Sequence, residues 1–325
     1  MKLSILDLAH VPMGSDVGQA LRNTLDLARR VDTLGYERFW LAEHHNMPGI
    51  ASAATAVVIG QVAAATQRIR VGSGGIMLPN HAPLVIAEQF GTLEALFPGR
   101  IDLGLGRAPG TDGLTWRALR RDVRAAEHFP DDVLELQALL GPVQPGQRIR
   151  AVPGADSNVP LWILGSSLFG SQLAARLGLP YAFASHFAPA ALHEALRVYR
   201  EMFQPSAQLQ TSYAMAGVNV ICAATDEEAQ LLFTSLQRVV IGLVTGSPGR
   251  LSPPAPIDPL PPHVQQAVEG FLGCSFVGSP ATVRAGLEQF IQDTGADELI
   301  VASAIFDHAA RLQSYELLSR ECLSR

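Results

Sequence analysis

The chain is predicted to be an α/β protein folded as a (β/α)8 TIM barrel, and three observations support that. Eight short apolar runs recur along 325 residues, helical stretches follow them in turn, and several runs break off abruptly into polar residues. Strand-then-helix order implies parallel strands with crossover connections, and eight strands favour closure into a barrel. The polar breaks are Phe39-Trp40-Leu41-Ala42 into Glu43-His44-His45, Ile101 to Leu105 into Gly106-Arg107, and Leu161 to Leu164 into Gly165-Ser166-Ser167. A barrel builds its active site from the carboxyl ends of its strands, so these breaks mark one shared mouth. An open doubly wound sheet is the competing architecture.

The elements follow in order. The first strand is read at Leu3 to Leu8. Then Val17, Ala20, Leu21, Ala28, Val31 and Leu34 recur at helical spacing, with Ser15-Asp16 as a cap and Gly35 as the stop. Strand Phe39 to Ala42 precedes an Ala-rich helix over Ser52 to Thr66, and strand Ile69 to Leu78 precedes helix Leu84 to Leu96, stopped by Pro98-Gly99. Strand Ile101 to Leu105 leads to a helical stretch, Trp116 to Leu140, broken near Pro130. Strands Leu161 to Leu164 and Tyr181 to Ala184 are followed by helices Leu168 to Leu177 and Pro189 to Phe203, and strands Met215 to Ala223 and Glu298 to Ser303 complete the eight. Two insertions interrupt the repeat, Gly141 to Val159 before the fifth strand and Thr245 to Pro262 between the seventh and eighth. Neither reads as a domain of its own, so residues 1–325 are expected to form a single domain. The second insertion carries seven prolines from Pro248 to Pro262 and is either a lid on the barrel mouth or a surface loop.

A Rossmann site would require Gly-x-Gly-x-x-Gly at the first strand-to-helix turn. That turn reads His10-Val11-Pro12-Met13-Gly14, and the nearest imitation, Gly104 to Gly110, has Pro109 where the third glycine should fall and sits on the fourth strand. A net charge of -6 without a run of Lys or Arg argues against nucleic acid and against an anionic membrane surface. Cys222, Cys274 and Cys322 are too few and too scattered for a disulfide framework or a Cys-x-x-Cys motif, which suits the cytoplasm. No export signal is visible, and the uncharged stretch after Asn46 is broken by Pro48, Gly49 and Gly60, unlike a membrane span.

Arg107 at a strand end offers a fixed cation with forked donors, and Ser166-Ser167 ahead of a helix offers hydroxyls and free amides; together they suit a phosphate. Taken singly, an ion pair and a helix cap would explain them. His44 and His45 are adjacent on an extended strand and point to opposite faces, so they cannot easily share one metal ion, and no metal is expected. A neutral imidazole is better placed as an acid, base or hydrogen-bond partner. Gly74-Gly75 inside a strand marks a bulge or the close approach of a ligand. Asp7 and His81 are left as core or loop residues.

Leu41-Ala42-Glu43-His44-His45, Val71 to His81, Gly99 to Arg107, Leu164 to Ser167 and Val277 to Val283 together resemble the bacterial luciferase-like flavin monooxygenases. The resemblance implies a barrel that binds reduced FMN, admits dioxygen and oxygenates a small organic substrate through a flavin 4a-hydroperoxide. By the same resemblance, His44 is the catalytic acid/base, and Gly74, Gly75, Arg107, Gly165, Ser166 and Ser167 bind the cofactor. A non-proline cis peptide is implied at Gly74-Gly75. A separate flavin reductase is expected, since no nicotinamide fingerprint is present, and so is a homodimer formed through early barrel helices. Luciferase proper has glutamate and cysteine where this chain has Gly165 and Gly106, so light emission is not expected. A deazaflavin-dependent reductase or dehydrogenase of the same barrel, or a non-catalytic flavin-binding protein, is the alternative.

Overall fold

Barrel strands covered by helices are buried on both faces, and the sequence meets that demand with short runs of apolar or small residues. In the computed structural model, which describes residues 1–108 and 112–323, β1 (Leu3–Asp7), β4 (Ile101–Gly106) and β7 (Ala214–Cys222) are buried at every position. The other barrel strands are β2 (Arg38–Leu41), β3 (Arg70–Met77), β5 (Leu161–Gly165) and β6 (Tyr181–Phe183), and β9 (Glu298–Ala302) lies beyond a further short strand, β8 (Ser275–Gly278). All pairings are parallel, and the ring runs from β1 through β7 to β9 and back to β1. The closed barrel is the predicted one, and the open sheet is set aside. Pro109 and Gly110 of the Rossmann imitation lie outside the described residues.

The helices form the outer layer. They are α1 (Val17–Val31), α2 (Thr55–Ala65), α3 (Pro83–Leu96), α4 (Gly113–Ala118), α5 (Phe129–Leu140), α6 (Leu168–Leu177) and α7 (Leu192–Met202), followed by α8 (Asp226–Val244), α9 (Pro262–Phe271), α10 (Pro280–Thr294) and α11 (His308–Cys322). The Asp16 side chain caps α1 by accepting from the Gln19 amide at 2.7 Å, and Ala20, Leu27, Ala28 and Val31 turn inward as their spacing requires. Among the described residues no helix is long and apolar enough to cross a membrane.

Three features differ from the sequence expectation. The predicted stretch Trp116 to Leu140 is α4, a 3-10 turn at Val123–Glu127 and α5, because His128 ends the turn and Pro130 occupies the first turn of the next helix. The strand read as the eighth is β9, since β8 precedes it and pairs only with the upper half of β7, Asn219 to Cys222. The last four helices were not read from the sequence. The signals were nonetheless present: Thr225 caps α8 through the Glu228 amide at 3.2 Å, and Pro262 opens α9 where its missing N–H costs nothing.

The amino-terminal end of the barrel is closed by charged side chains from four strands, β2, β3, β4 and β9. Arg38 reaches Asp102 at 2.8 Å and Glu298 at 3.0 Å, Arg70 reaches the other Asp102 oxygen at 2.6 Å, and the Trp40 indole donates to Asp102 at 3.1 Å. Ser4 and Tyr213 donate to Glu298. Asp102 and Glu298 are 1% and 0% exposed, so this network replaces their hydration. Removing one partner from such a buried network costs about 3 to 5 kcal/mol, because the remaining charges stay buried without compensation. Asp102→Ala should therefore lose about that much in urea unfolding, whereas Glu288→Ala, at an exposed helical pair with Arg284, should change stability by less than about 0.5 kcal/mol.

Candidate active site

At the opposite end the strand exits surround a cavity of about 570 Å³, a size suited to a small molecule and part of a cofactor. All seven residues singled out in the sequence line it: His44, Gly74, Gly75, Arg107, Gly165, Ser166 and Ser167. The strand-end rule thus converges in space as the barrel requires.

One wall is a cradle at the exits of β4 and β5. Ser167 is extended (φ -145°, ψ 168°) at the head of α6, and its side chain makes no capping hydrogen bond. The first amides of α6 are therefore left without a side-chain cap, and the Arg107 guanidinium carbon stands 4.0 Å from the ring centre of Phe169 in that same first turn. A Cβ on Gly165 would meet nothing nearer than 3.7 Å, so this glycine leaves the cradle roomy. An anion with several oxygens fits that donor set.

A second wall is β3. The Gly74–Gly75 peptide is cis, and pairing with β4 shifts register between Ser73 and Ile76. A Cβ on Gly75 would stand 2.8 Å from the Gly104 carbonyl oxygen, so only glycine lets the two backbones approach here. The result is a bare backbone surface facing the cavity.

Three imidazoles share the cavity: His44 and two that the sequence reading missed, His10 and His186. The His44 amide is anchored to the Ser52 carbonyl at 3.1 Å. Burial pulls His10 down to about 4, reinforced by Arg311 and opposed by Asp7, and burial with repulsion from His44 pulls His186 to about 4. Both rings are therefore neutral at pH 7. The signal for them was the same strand-end rule, since His10 follows the first strand and His186 the sixth. Asn219 of β7, also overlooked, lines the cavity and donates to the His186 carbonyl at 2.6 Å.

Other polar residues turn away from the cavity. His45 bonds Glu43 at 2.7 Å, and His81 reaches the same carboxylate oxygen at 2.8 Å. Those contacts with the buried carboxylate hold Glu43 down at about 2 despite the opposing effect of burial. Asp7 is a core partner, bonded to Thr24 at 2.7 Å and to Arg311 at 2.9 Å.

The roof comes from the second insertion and its flanks. Leu236, Val239, Val240 and Leu243 of α8 line the cavity with Pro248 and Gly249. Beyond them, Leu251 is tied to Val11 and Met13 by backbone hydrogen bonds of 3.2 and 2.7 Å, and Ala255 to the Thr234 hydroxyl at 3.0 Å. The proline-rich segment is thus a docked cover rather than a free surface loop.

The fold and this mouth define a β/α-barrel protein with a small-molecule site at the carboxyl ends of its strands. A family model described as luciferase-like monooxygenase matches residues 1–298, and the chain belongs to that family. It is 53% identical over 317 residues, 97% of this chain and 95% of the relative, to a luciferase-like monooxygenase of Escherichia coli K12. It is 35% identical to the N-acetyl-S-alkylcysteine monooxygenase of Bacillus subtilis, over 76% of this chain and 75% of that one. The crystal structure of apo-MsnO8 superposes with a TM-score of 0.90 at 38% identity, covering 98% of each chain. Solved structures at under 25% identity also share the fold. The oxygenating constituent of 3,6-diketocamphane monooxygenase from Pseudomonas putida, in complex with FMN, has a TM-score of 0.74 at 17% identity over 99% of this chain and 97% of that one. An F420-dependent secondary alcohol dehydrogenase has a TM-score of 0.72 at 14% identity over 98% of each.

The depressed histidines make stability depend on pH with a definite sign. Each has an ordinary value of 6.5 and a folded value of about 4, so between those limits the unfolded chain binds more protons and stability rises with pH. The contribution is complete above pH 6.5 and is lost as pH falls toward 4. Moving from pH 7.5 to pH 5 should cost on the order of 2 kcal/mol per histidine in urea unfolding, and His186→Gln should remove its share of that drop.

Proposed function

We propose that the chain is a two-component monooxygenase that takes reduced FMN from a separate reductase and uses dioxygen to oxygenate a small organic substrate. The observation that carries this reading is the convergence, in one cavity, of an uncapped helix start with Arg107, a bare Gly74-Gly75 backbone and His44. Family membership and the monooxygenase names of relatives support it.

Arg107, Ser166, Ser167 and the α6 amides would hold the FMN phosphate, and the glycine surface of β3 would lie against the flavin ring. Reduced flavin, when bound, supplies the two electrons that activate dioxygen. His44 would move a proton at its imidazole on the cavity side. The apolar roof excludes water, and among the described lining residues Arg107 is the one fixed charge, so the substrate is apolar or carries few charges. The space left at Gly165 favours one second reading, a deazaflavin coenzyme used for hydride transfer.

The proposal extends to one domain over residues 1–325, a cytoplasmic location and a homodimer. Val57 of α2 and Val85 of α3, 68% and 45% exposed, offer an apolar face for pairing. Light scattering should then give twice the chain mass, and a monomer at every concentration would remove the dimer.

Anaerobic titration should show reduced FMN binding, weakened by about 10- to 100-fold in Arg107→Ala as a charge-assisted contact is lost. Readmitted dioxygen should be consumed with transfer of labelled oxygen to substrate. His44→Asn should keep flavin binding and lose turnover. Binding without oxygen consumption would favour the deazaflavin reading or simple storage.

A further inference from the structure

Behind the cavity wall, the side chains of Glu43, His45 and His81 converge, each offering one ligand atom, and these atoms lie within 4.8 Å of one another. None of the three lines the cavity. Both imidazole Nε2 atoms contact a single oxygen, Glu43 Oε1, at 2.7 and 2.8 Å, while the other carboxylate oxygen accepts the Met77 amide at 3.0 Å. One oxygen is thus fixed by backbone, and the other faces the two imidazole nitrogens and, at 3.5 Å, the Asn80 side-chain amide.

We propose that Glu43, His45 and His81 form a binding site for a divalent transition ion such as Zn2+, separate from the flavin cavity. Two imidazole nitrogens and one carboxylate oxygen are a recognised zinc ligand set that leaves a fourth position for water. At Zn–ligand distances of about 2.0 to 2.1 Å and tetrahedral angles, neighbouring donors stand roughly 3.3 Å apart. Each imidazole therefore has to draw back by about half an ångström from its present hydrogen bond. They can do so: the side chains of His45 and His81 are 17% and 28% exposed, whereas Glu43, at 1%, is the fixed member. The same exposure gives the ion a path and its water ligand a place. Mg2+ and Ca2+ are disfavoured, because they require oxygen donors. The Met77 amide acts as the outer contact that orients the carboxylate. An Nε2 that donates to Glu43 gives up that proton as the ion enters, to solvent from an imidazolium or to its own Nδ1 from a neutral ring, so the carboxylate binds as an anion and the imidazoles as neutral ligands.

Such an ion would join the exit of β2 to the turn after β3, on both chain sides of His44. The adjacent pair His44 and His45 obscured this in the sequence, because the second imidazole comes from His81, 36 positions further on.

The test is Co2+ titration of the metal-free full-length protein, read by visible absorption, with Zn2+ displacement and thermal unfolding as second readouts. One equivalent of Co2+ per chain with the strong bands of a four-coordinate site is expected. The affinity should fall on the order of 100-fold in His81→Gln and in Glu43→Gln, as the loss of even an outer partner costs 10- to 100-fold. Zn2+ should raise the melting temperature of the parent protein and not of His81→Gln, while His186→Gln should bind as the parent does. The buried Cys222, Cys274 and Cys322 do not compete for the ion. Absence of stoichiometric binding, or unchanged affinity in a folded His81→Gln, overturns the proposal.

Discussion

Closure of the barrel rests on the charged network at its amino-terminal end. Eight strand ends tilting around a ring leave a space that apolar side chains would fill without direction, whereas guanidinium and carboxylate groups fill it with fixed geometry. Asp102 holds Arg38, Arg70 and Trp40, and Glu298 holds Arg38, Ser4 and Tyr213. β4 and β9, far apart in sequence, are thereby tied to β1, β2 and β3. Such a network need not be the most stable filling of that space, but it admits one register, and register decides what each strand presents at the other end.

That other end is a contrast in dielectric. The mouth collects groups that prefer water and then covers them with aliphatic side chains from α8 and the Pro248-Gly249 turn. Two of its three imidazoles are consequently held neutral, which keeps hydrogen-bonding capacity without charge. Arg107 remains exposed and stacks on Phe169. A site with one fixed cation at its rim and neutral donors inside suits an anionic cofactor tail outside and an apolar reaction volume within.

The histidines show how one strand exit serves two ends. His44 faces the cavity, and its neighbours Glu43 and His45 face the other way, where His81 joins them. Alternation along the chain puts His44 and the Glu43–His45 pair on opposite sides of one wall.

The sequence by itself determined the periodic order of strands and helices, the glycines of β3 and β4, and the polar residues at three strand exits. These are local properties: side-chain period, backbone freedom and the break from apolar to polar are written in consecutive residues. Only the tertiary structure decided the rest. His10 and His186 stand after the first and sixth strands, and only closure of the ring brings those strand ends beside His44. The helices α8 and α9 were hidden by the proline-rich segment between them, whose composition reads as loop although Val11, Met13 and Thr234 hold it over the mouth. The pairing of His45 with His81 depends on β2 lying beside β3, and the capping role open to Ser167 was set aside by how α6 meets β5. Contacts between residues distant in sequence are fixed by packing and closure, which no local pattern encodes.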